Sequence, residues 1–301
     1  MANQTYKKQV QLLLQVLPEV AKEACFALHG GTAINLFIRD MPRLSVDIDL
    51  TYVLIEDRET SFQNIRDALG RVKARVETVL PSARVIQRDD ILKLQIAHEG
   101  AQIKLEVNQI GRGTLAEPIV APLCDAAQEA FDAFCSVPLV PLGQIYGGKI
   151  CAALDRQHPR DLFDARYLLD NEGFSEEVKT GFLLCLLSSD RPMHEVIAPN
   201  LLDQRSAMTN QFEGMSAEPF TYARYEETRA QLIRAVNDGL SEADRAFLLS
   251  VKAVEPDWSI YDFERFPAVQ WKLLNLERLK DRDPEKHRRQ YEELKKRLGI
   301  S

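Results

Sequence analysis

The sequence predicts an α/β fold in its first half and a helical fold in its second half, a bilobed arrangement. Three observations indicate this: runs of alternating apolar and polar residues up to Ile110, a connection rich in glycine and proline after it, and helical spacing beyond Pro141. We therefore expect two domains within the 301 residues, a mixed sheet with helices in 1–140 and a helical bundle in 141–301.

The elements of the first half follow in order along the chain. Near the N-terminus, apolar residues recur at helical spacing: Val10, Leu13, Leu14, Leu17 and Val20. The run "ACFALHGG" then predicts a buried strand and a turn, and "TAINLFIR" predicts a helix capped by Thr32. The strict alternation of "SVDIDLTYVL" predicts a half-buried strand, and residues 57–80 have helical spacing.

Three further runs predict strands: "ARVIQR", "ILKLQIAH" and "QIKLEVNQI". Only Glu-Gly separates the last two, so they should form a hairpin. The segment "GRGTLAEPIVAPL" predicts an irregular connection. Six stretches with helical spacing follow, from "QIYGGKICAALDRQ" to "AVQWKLLNLERLK", and we expect Trp258 and Trp271 in the core.

Composition and charge narrow the class of protein. Hydrophobic residues make up 45% of the chain and charged residues 28%, which is typical of a soluble globular protein. No apolar run approaches the ~20 residues of a membrane span. Five cysteines without a CxxC pair favour a reducing cytoplasm.

The net charge of −7 gives no overall basic footprint for nucleic acid. The stretch from Lys272 to Ser301 is different, with ten Lys and Arg against six Asp and Glu. That stretch is either a nucleic-acid contact or a solvated helix face, and the second is the default.

Two aspartates in the strand "SVDIDL" form the first candidate site. Alternation places Asp47 and Asp49 on one face, roughly 7 Å apart along the backbone. Their mutual repulsion is relieved by a divalent cation such as Mg²⁺, which prefers carboxylates and phosphate oxygens. If the strand that carries Glu106 lies beside this one, Glu106 becomes a third acid on that face, and three acids can hold two catalytic metal ions.

The glycine pair ahead of the aspartates adds the second part of the candidate site. Gly30 and Gly31 allow backbone N–H groups to approach a phosphate, and the helix beginning near Thr32 would direct its positive end at the same anion. The alternative is that the glycines form a plain turn and the aspartates an exposed strand face. The ordered combination of glycines, Asp47, Asp49 and Glu106 favours a site for phosphoryl-type transfer.

The pattern hydrophobic-Gly-Gly, spacer, Asp-hydrophobic-Asp resembles the nucleotidyltransferase superfamily. The fuller text "HGGTAINLF", with the Arg, Ser and "DIDL" that follow, resembles the AbiEii/AbiGii toxin family of type IV toxin–antitoxin and abortive-infection systems. The segment "GGKICAALDRQHPRDLFDARYLL" resembles the family's Lys followed by Arg-Asp-x-x-Asp, and "LSEADRAFLLSVKAVEPDW" with "PAVQWKLLNL" resembles its C-terminal helices. The likeness covers nearly the whole chain.

The resemblance implies a role for each matching residue. The metal ligands for Mg²⁺ or Mn²⁺ would be Asp47, Asp49 and Glu106. The nucleotide phosphates would be contacted by Gly30, Gly31, Thr32, Arg43 and Ser45. From the helical half, the triphosphate would meet Lys149, and the site would be completed by Arg160, Asp161 and Asp164.

Each residue of the helical half also has a structural interpretation. Arg160 and Asp164 are four apart and could form an ordinary helix ion pair. Asp161 could simply favour the start of a helix, as Pro159 does. His29 and His158 flank the motifs, and we expect both to be packed rather than catalytic.

The resemblance further implies an enzyme that transfers a nucleoside monophosphate from an NTP to RNA. The acceptor would be the 3′ end of tRNA, as in the MenT toxins, and the result a block of translation. The nucleotide would lie in a cleft between the two domains, with Glu106 or Asp49 as the base. A cognate antitoxin and a cytoplasmic location without membrane contact are implied as well.

Three other functions stay open from the sequence. Gly143–Ile150 nearly matches a P-loop, although Ile150 replaces the hydroxyl residue that would bind Mg²⁺. Nucleotide transfer to a small molecule, as in aminoglycoside-modifying relatives, or to a protein is the enzymatic alternative. A catalytically silent nucleotide-binding module is the non-enzymatic one, and the presence of all three acids argues against it.

Overall fold

A computed structural model describes residues 2–300. It divides them into two compact units. The first takes in the chain up to Ile145 together with Asn210–Phe220, and the second takes in Tyr146–Thr209 and the chain from Thr221 onward. The α/β first half and the helical second half are both observed.

The first unit is built on a seven-stranded mixed sheet with the order β3-β4-β5-β2-β1-β7-β6. Its strands are β1 (Phe26–His29), β2 (Asp47–Tyr52), β3 (Arg84–Arg88), β4 (Lys93–His98), β5 (Ala101–Val107), β6 (Ile119–Pro122) and β7 (Ser136–Leu139). Its helices are α1 (Ala2–Val20), α2 (Gly30–Ala33), α3 (Arg58–Val79) and α4 (Asp125–Phe131), and α2 continues as a π-helix over Ile34–Ile38.

The centre of this sheet is β2, which pairs in parallel with β5 and antiparallel with β1. Its alternation divides the residues as the sequence predicts: Ile48 and Leu50 are buried, at 0% and 1% exposure, while Asp47 and Asp49 are partly exposed. The apolar face of α1 is buried at Val10, Leu13 and Leu17. The sheet therefore fixes β2 between two neighbours and leaves its aspartates on one open face.

Two features of the first unit were not predicted. The segment expected to be irregular contains β6, and it is followed by α4 and β7. Prolines in the segment led to the prediction of a loop. Proline is nevertheless tolerated in an edge strand, and β6 lies at the edge of the sheet. Residues 210–220 also join this unit: Leu44 N donates to Met215 O at 2.8 Å, and Arg43 forms a β-bridge with Ser216.

The second unit is helical. Its helices are α5 (Leu142–Asp155, which begins in the first unit), α6 (Pro159–Asn171), α7 (Glu176–Leu187), α8 (Met193–Ile197), α9 (Arg205–Ala207), α10 (Tyr222–Gly239), α11 (Glu242–Ala253), α12 (Pro267–Arg282) and α13 (Pro284–Arg297). Phe163, Phe182 and Phe247 are fully buried in it. Trp258 packs against Phe247, but the prediction of a core position for Trp271 is wrong, since 48% of it is exposed.

No helix among residues 2–300 combines the length and the apolar character needed to cross a bilayer. The five cysteines are free thiols.

The glycines of "YGGKI" serve helix packing. The segment lies within α5, so the P-loop alternative is wrong, because a helical backbone does not form a phosphate-cradling loop. A Cβ on Gly147 would lie 2.2 Å from the backbone carbon of Gly181 in α7, whereas a Cβ on Gly148 would meet only Cys185 Sγ, at 3.8 Å. At Gly147 the backbones of α5 and α7 therefore lie in direct contact.

We expect Gly147→Ala to lower the free energy of unfolding by at least about 2 kcal/mol, because neither backbone can yield to the added methyl group. The matched control Gly148→Ala should be neutral or stabilising by about 0.5–1 kcal/mol, since alanine favours a helix interior. Urea unfolding of both variants measures the difference. Equal stability of the two variants would show that α5 and α7 do not pack as described.

Candidate active site

The glycine turn lies directly against the acidic strand. His29, the last residue of β1, pairs in register with Asp49 of β2. The chain turns at Gly30, which has a φ of +74°, and a Cβ there would lie 2.6 Å from Asp49 Oδ2. The Asp49 carboxylate thus rests on a backbone that only glycine can provide without strain.

Arg43 and Ser45 lie on the other side of the turn. A Cβ on Gly31 would lie 2.8 Å from Arg43 Nη2 and 3.0 Å from Ser45 Oγ. Both side chains are buried, and Arg43 Nη1 donates to the Leu44 carbonyl oxygen at 2.9 Å. The structure therefore brings a fixed guanidinium and a hydroxyl to the glycine backbone, which are groups that bind phosphate oxygens.

Thr32 ties the turn to the strand. It is fully buried, and its Oγ1 lies 2.5 Å from the carbonyl oxygen of Asp47 and 3.0 Å from Ser45 Oγ. The threonine hydroxyl donates to the carbonyl and can accept from the serine. The predicted cap of α2 is not formed by Thr32, since His29 precedes the helix and Thr32 lies within it.

Asp47 and Asp49 lie on one face of β2, as the alternation predicts. Glu106 of β5 is in register with Asp49, so the condition for a third acid on that face is met. Its carboxylate is, however, bound by Lys93 of β4, and residues 2–300 contain no group of three or more acid, histidine or cysteine side chains close enough to hold a metal ion.

The residues around the turn fit a divalent cation at the two aspartates. Mg²⁺ is usually held by one or two carboxylates together with substrate phosphates, so a pair of acids is a sufficient protein contribution. The absence of a side chain at Gly30 leaves room for the Asp49 carboxylate, which is partly exposed. Lys93 was not predicted, although the two-residue hairpin turn at Glu99 and Gly100 places it opposite Glu106.

The second unit holds a separate buried charge cluster. Lys149 Nζ lies 2.8 Å from Asp161 Oδ1 and 2.9 Å from Asp164 Oδ2, and the side chains of all three are at least nine-tenths buried. Arg156, which was not predicted, donates through Nε to Asp161 Oδ2 at 2.6 Å. The two carboxylates hold the lysine ammonium in a fixed position.

The remaining predicted residues are placed as follows. Arg160 makes no ion pair within residues 2–300, and its expected helix partner Asp164 is bound by Lys149 instead. His158 accepts from Arg160 N at 3.1 Å and so caps α6. His29 Nδ1 and Thr51 Oγ1 share a hydrogen bond at 3.0 Å, which holds the ring against β2.

A glycine turn that cradles an Asp-x-Asp strand of a mixed sheet, with a buried arginine beside it, is the arrangement of a nucleotidyltransferase. The chain belongs to the family described as "Nucleotidyl transferase AbiEii toxin, Type IV TA system", whose model matches residues 11–275. This confirms the resemblance and makes the protein a nucleotidyltransferase toxin of a type IV toxin–antitoxin system.

A solved structure shares the fold. MenT4, a nucleotidyltransferase toxin from Mycobacterium tuberculosis H37Rv, superposes with a TM-score of 0.61 at 14% identity, over 90% of this chain and 93% of its own. No curated protein matches the chain in sequence.

Burial opposes ionisation of Asp161, but the charges of Lys149 and Arg156 outweigh it and hold the pKa of this carboxyl well below its usual range. We expect Asp161→Asn to lower the free energy of unfolding by about 3–5 kcal/mol at pH 7, because two cations lose a shared counter-charge. Because the pKa of Asp161 is lower in the folded protein than in the unfolded chain, its ionisation stabilises the fold fully above the unfolded pKa of about 3.9. This stabilisation is lost as the pH falls.

The deficit of Asp161→Asn, measured by urea unfolding, should therefore shrink below pH 4. The control Asp170→Asn removes an exposed carboxylate from the same helix, 4.0 Å from Arg166, and should cost less than about 0.5 kcal/mol. A deficit that stays constant down to pH 2 would contradict the assigned ionisation.

Proposed function

We propose that this toxin is a metal-dependent enzyme that transfers a nucleoside monophosphate from an NTP to an RNA acceptor, the 3′ end of tRNA, and so blocks translation. The observation that carries the proposal is the contact of the Gly30 backbone with the Asp49 carboxylate, beside Arg43 and Ser45. This close approach supports the proposal because a glycine backbone beside a carboxylate strand is suited to bind a phosphate together with its metal ion. The RNA acceptor rests on the family resemblance.

Each residue of the first unit then has a role in the reaction. The backbone of Gly30 and Gly31, with Arg43 and Ser45, would bind the triphosphate and orient the α-phosphate. Asp47 and Asp49 would hold Mg²⁺ or Mn²⁺, which supplies neutralising charge at the phosphate oxygens. The acceptor hydroxyl oxygen forms a bond to the α-phosphorus, the bond to pyrophosphate breaks, and the hydroxyl proton passes to Asp49 or Glu106.

Lys149 is proposed to contact the triphosphate from the second unit, with Asp161, Asp164 and Arg160 as supporting residues. The two carboxylates fix the lysine Nζ, which reduces the entropy lost when it meets a phosphate. The cytoplasm as location and a cognate antitoxin as partner complete the proposal.

We expect Asp47→Asn and Asp49→Asn each to reduce nucleotide transfer by at least about 100-fold. Loss of a carboxylate that ligates the metal lowers activity more than loss of a residue that only hydrogen-bonds to a ligand. Transfer from a radiolabelled NTP with Mg²⁺, and growth inhibition on induction, are the two measurements. The matched control is Asp132→Asn: this exposed residue has a φ of +47°, which asparagine tolerates, and full activity should remain. Full growth inhibition by either active-site variant would contradict the proposal that the toxin acts as an enzyme.

The acceptor is tested by incubating the protein with each labelled NTP, Mg²⁺ and total RNA. Label should enter tRNA, and periodate oxidation of the 3′ end beforehand should prevent it. Binding of tRNA should also weaken as salt is raised, because phosphate contacts release counterions. Label found only in a small molecule or in protein would still support a nucleotidyltransferase but would show that RNA is not its acceptor.

A further inference from the structure

A pocket in the helical unit contains two buried lysines without acidic partners. It has a volume of about 200 Å³ and lies among α11, α12, α13 and the turn after α7. Lys252 and Lys272 line it and are 4% and 9% exposed. The pocket shares no residue with the Lys149 cluster or with the glycine turn.

The hydrogen bonds of both lysines go to neutral oxygens. Lys252 Nζ donates to Gln290 Oε1 at 2.9 Å, and Lys272 Nζ donates to the carbonyl oxygens of Ser189 and Arg191 at 2.6 and 2.7 Å. Neither forms an ion pair within the described part of the chain. Buried cations are normally paired, because an isolated charge loses its hydration, so this arrangement indicates an anion from outside the chain.

The other charged groups that face the pocket keep it positive. Lys286 and Asp190 line it and are exposed, and His194 is half-buried with a pKa that burial lowers. Burial lowers the pKa of Lys252 to about 8, and the charge of Lys272 adds to the effect. Burial likewise lowers the pKa of Lys272 to about 8, although Asp190 opposes the shift. Both ammonium groups are thus mostly protonated at pH 7, with three lysines facing one aspartate.

We propose that this pocket binds the phosphate of a nucleotide, with the base stacked on Trp271 at its mouth. Trp271 lines the pocket and is 48% exposed, and an indole face beside a phosphate site is suited to a nucleobase. The volume lies below the ~300 Å³ of a pocket for a drug-sized ligand, which suits a phosphate with its sugar and leaves the base outside. The stretch from Lys272 to Ser301 supplies Lys286 and the rest of this basic surface.

The nucleotide could come from solution or from an RNA strand, and the chemistry that recognises it is the same. The proposal does not rest on the RNA acceptor: it predicts a second phosphate site whichever acceptor the enzyme uses. The probes are UMP, uridine, inorganic phosphate and a twelve-residue oligo(U) RNA, with binding measured by calorimetry on the full chain.

UMP should bind and uridine should not. Lys252→Gln, which keeps a polar partner for Gln290, should weaken UMP binding by about tenfold or more, since a charge-assisted hydrogen bond is lost. Trp271→Leu should weaken UMP binding but not phosphate binding. The control Lys280→Gln removes an exposed charge from α12, the helix that carries Trp271, at a position outside the pocket lining. It should leave UMP affinity unchanged.

NTP turnover at saturating acceptor should be unchanged in Lys252→Gln, which separates this site from the catalytic one. Oligo(U) that competes with UMP would assign the pocket to RNA, and UMP binding without such competition would assign it to free nucleotides. Wild-type affinity for UMP in a folded Lys252→Gln variant would overturn the proposal, as would the absence of binding by every phosphate-bearing probe.

A second measurement needs no substitution. Lys252 and Lys272 line the pocket, so formaldehyde that enters it can methylate them reductively, and a pKa of about 8 provides unprotonated amine near neutral pH. Peptide mass spectrometry reports the extent of methylation at each lysine. UMP should protect both lysines severalfold, and uridine should not. Equal labelling with and without UMP would overturn the proposal even if the variant failed to fold.

Discussion

The candidate active site depends on the close approach of the Gly30 backbone to the Asp49 carboxylate. A Cβ at residue 30 would lie 2.6 Å from Asp49 Oδ2, so any other residue would push the carboxylate or the turn away. The register of β1 against β2 creates this approach, because it sets His29 opposite Asp49 where the chain leaves the sheet. The glycine backbone and the carboxylate lie against each other because both conditions hold.

Two further sets of bonds maintain that approach. The hydroxyl of Thr32 binds the Asp47 carbonyl, so the helix after the turn cannot move away from the strand without breaking a buried hydrogen bond. Residues 210–220 pair with Arg43 and Leu44, far away in sequence, and hold the buried guanidinium beside Gly31. A phosphate site of this kind needs fixed donors, because freedom of the loop would be lost on binding.

The sequence was informative where local pattern decides structure. The alternation around Asp47 and Asp49, the hairpin before Glu106 and the helical spacing after Pro141 all led to observed elements. It was uninformative where long-range packing decides: β7 beside β1, and the return of residues 210–220, leave no periodic trace. The pairing of Lys93 with Glu106 follows from the hairpin turn, whereas Arg156 beside Asp161 depends on how α5 and α6 meet.

The two sets of buried lysines in the helical unit differ in how their charge is balanced. Lys149 has two carboxylates within hydrogen-bond distance, and Arg156 pairs with one of them, Asp161. The two carboxylates hold the lysine Nζ in a fixed position, as expected of a group that contacts and orients a phosphate at short range. Lys252 and Lys272 have carbonyl and amide oxygens but no carboxylate within hydrogen-bond distance, and the charge of Lys272 lowers the pKa of Lys252. A bound phosphate would offset the cost of burying these two charges, which supports phosphate binding by Lys252 and Lys272 in the pocket, whereas Lys149 is proposed to contact and orient the triphosphate.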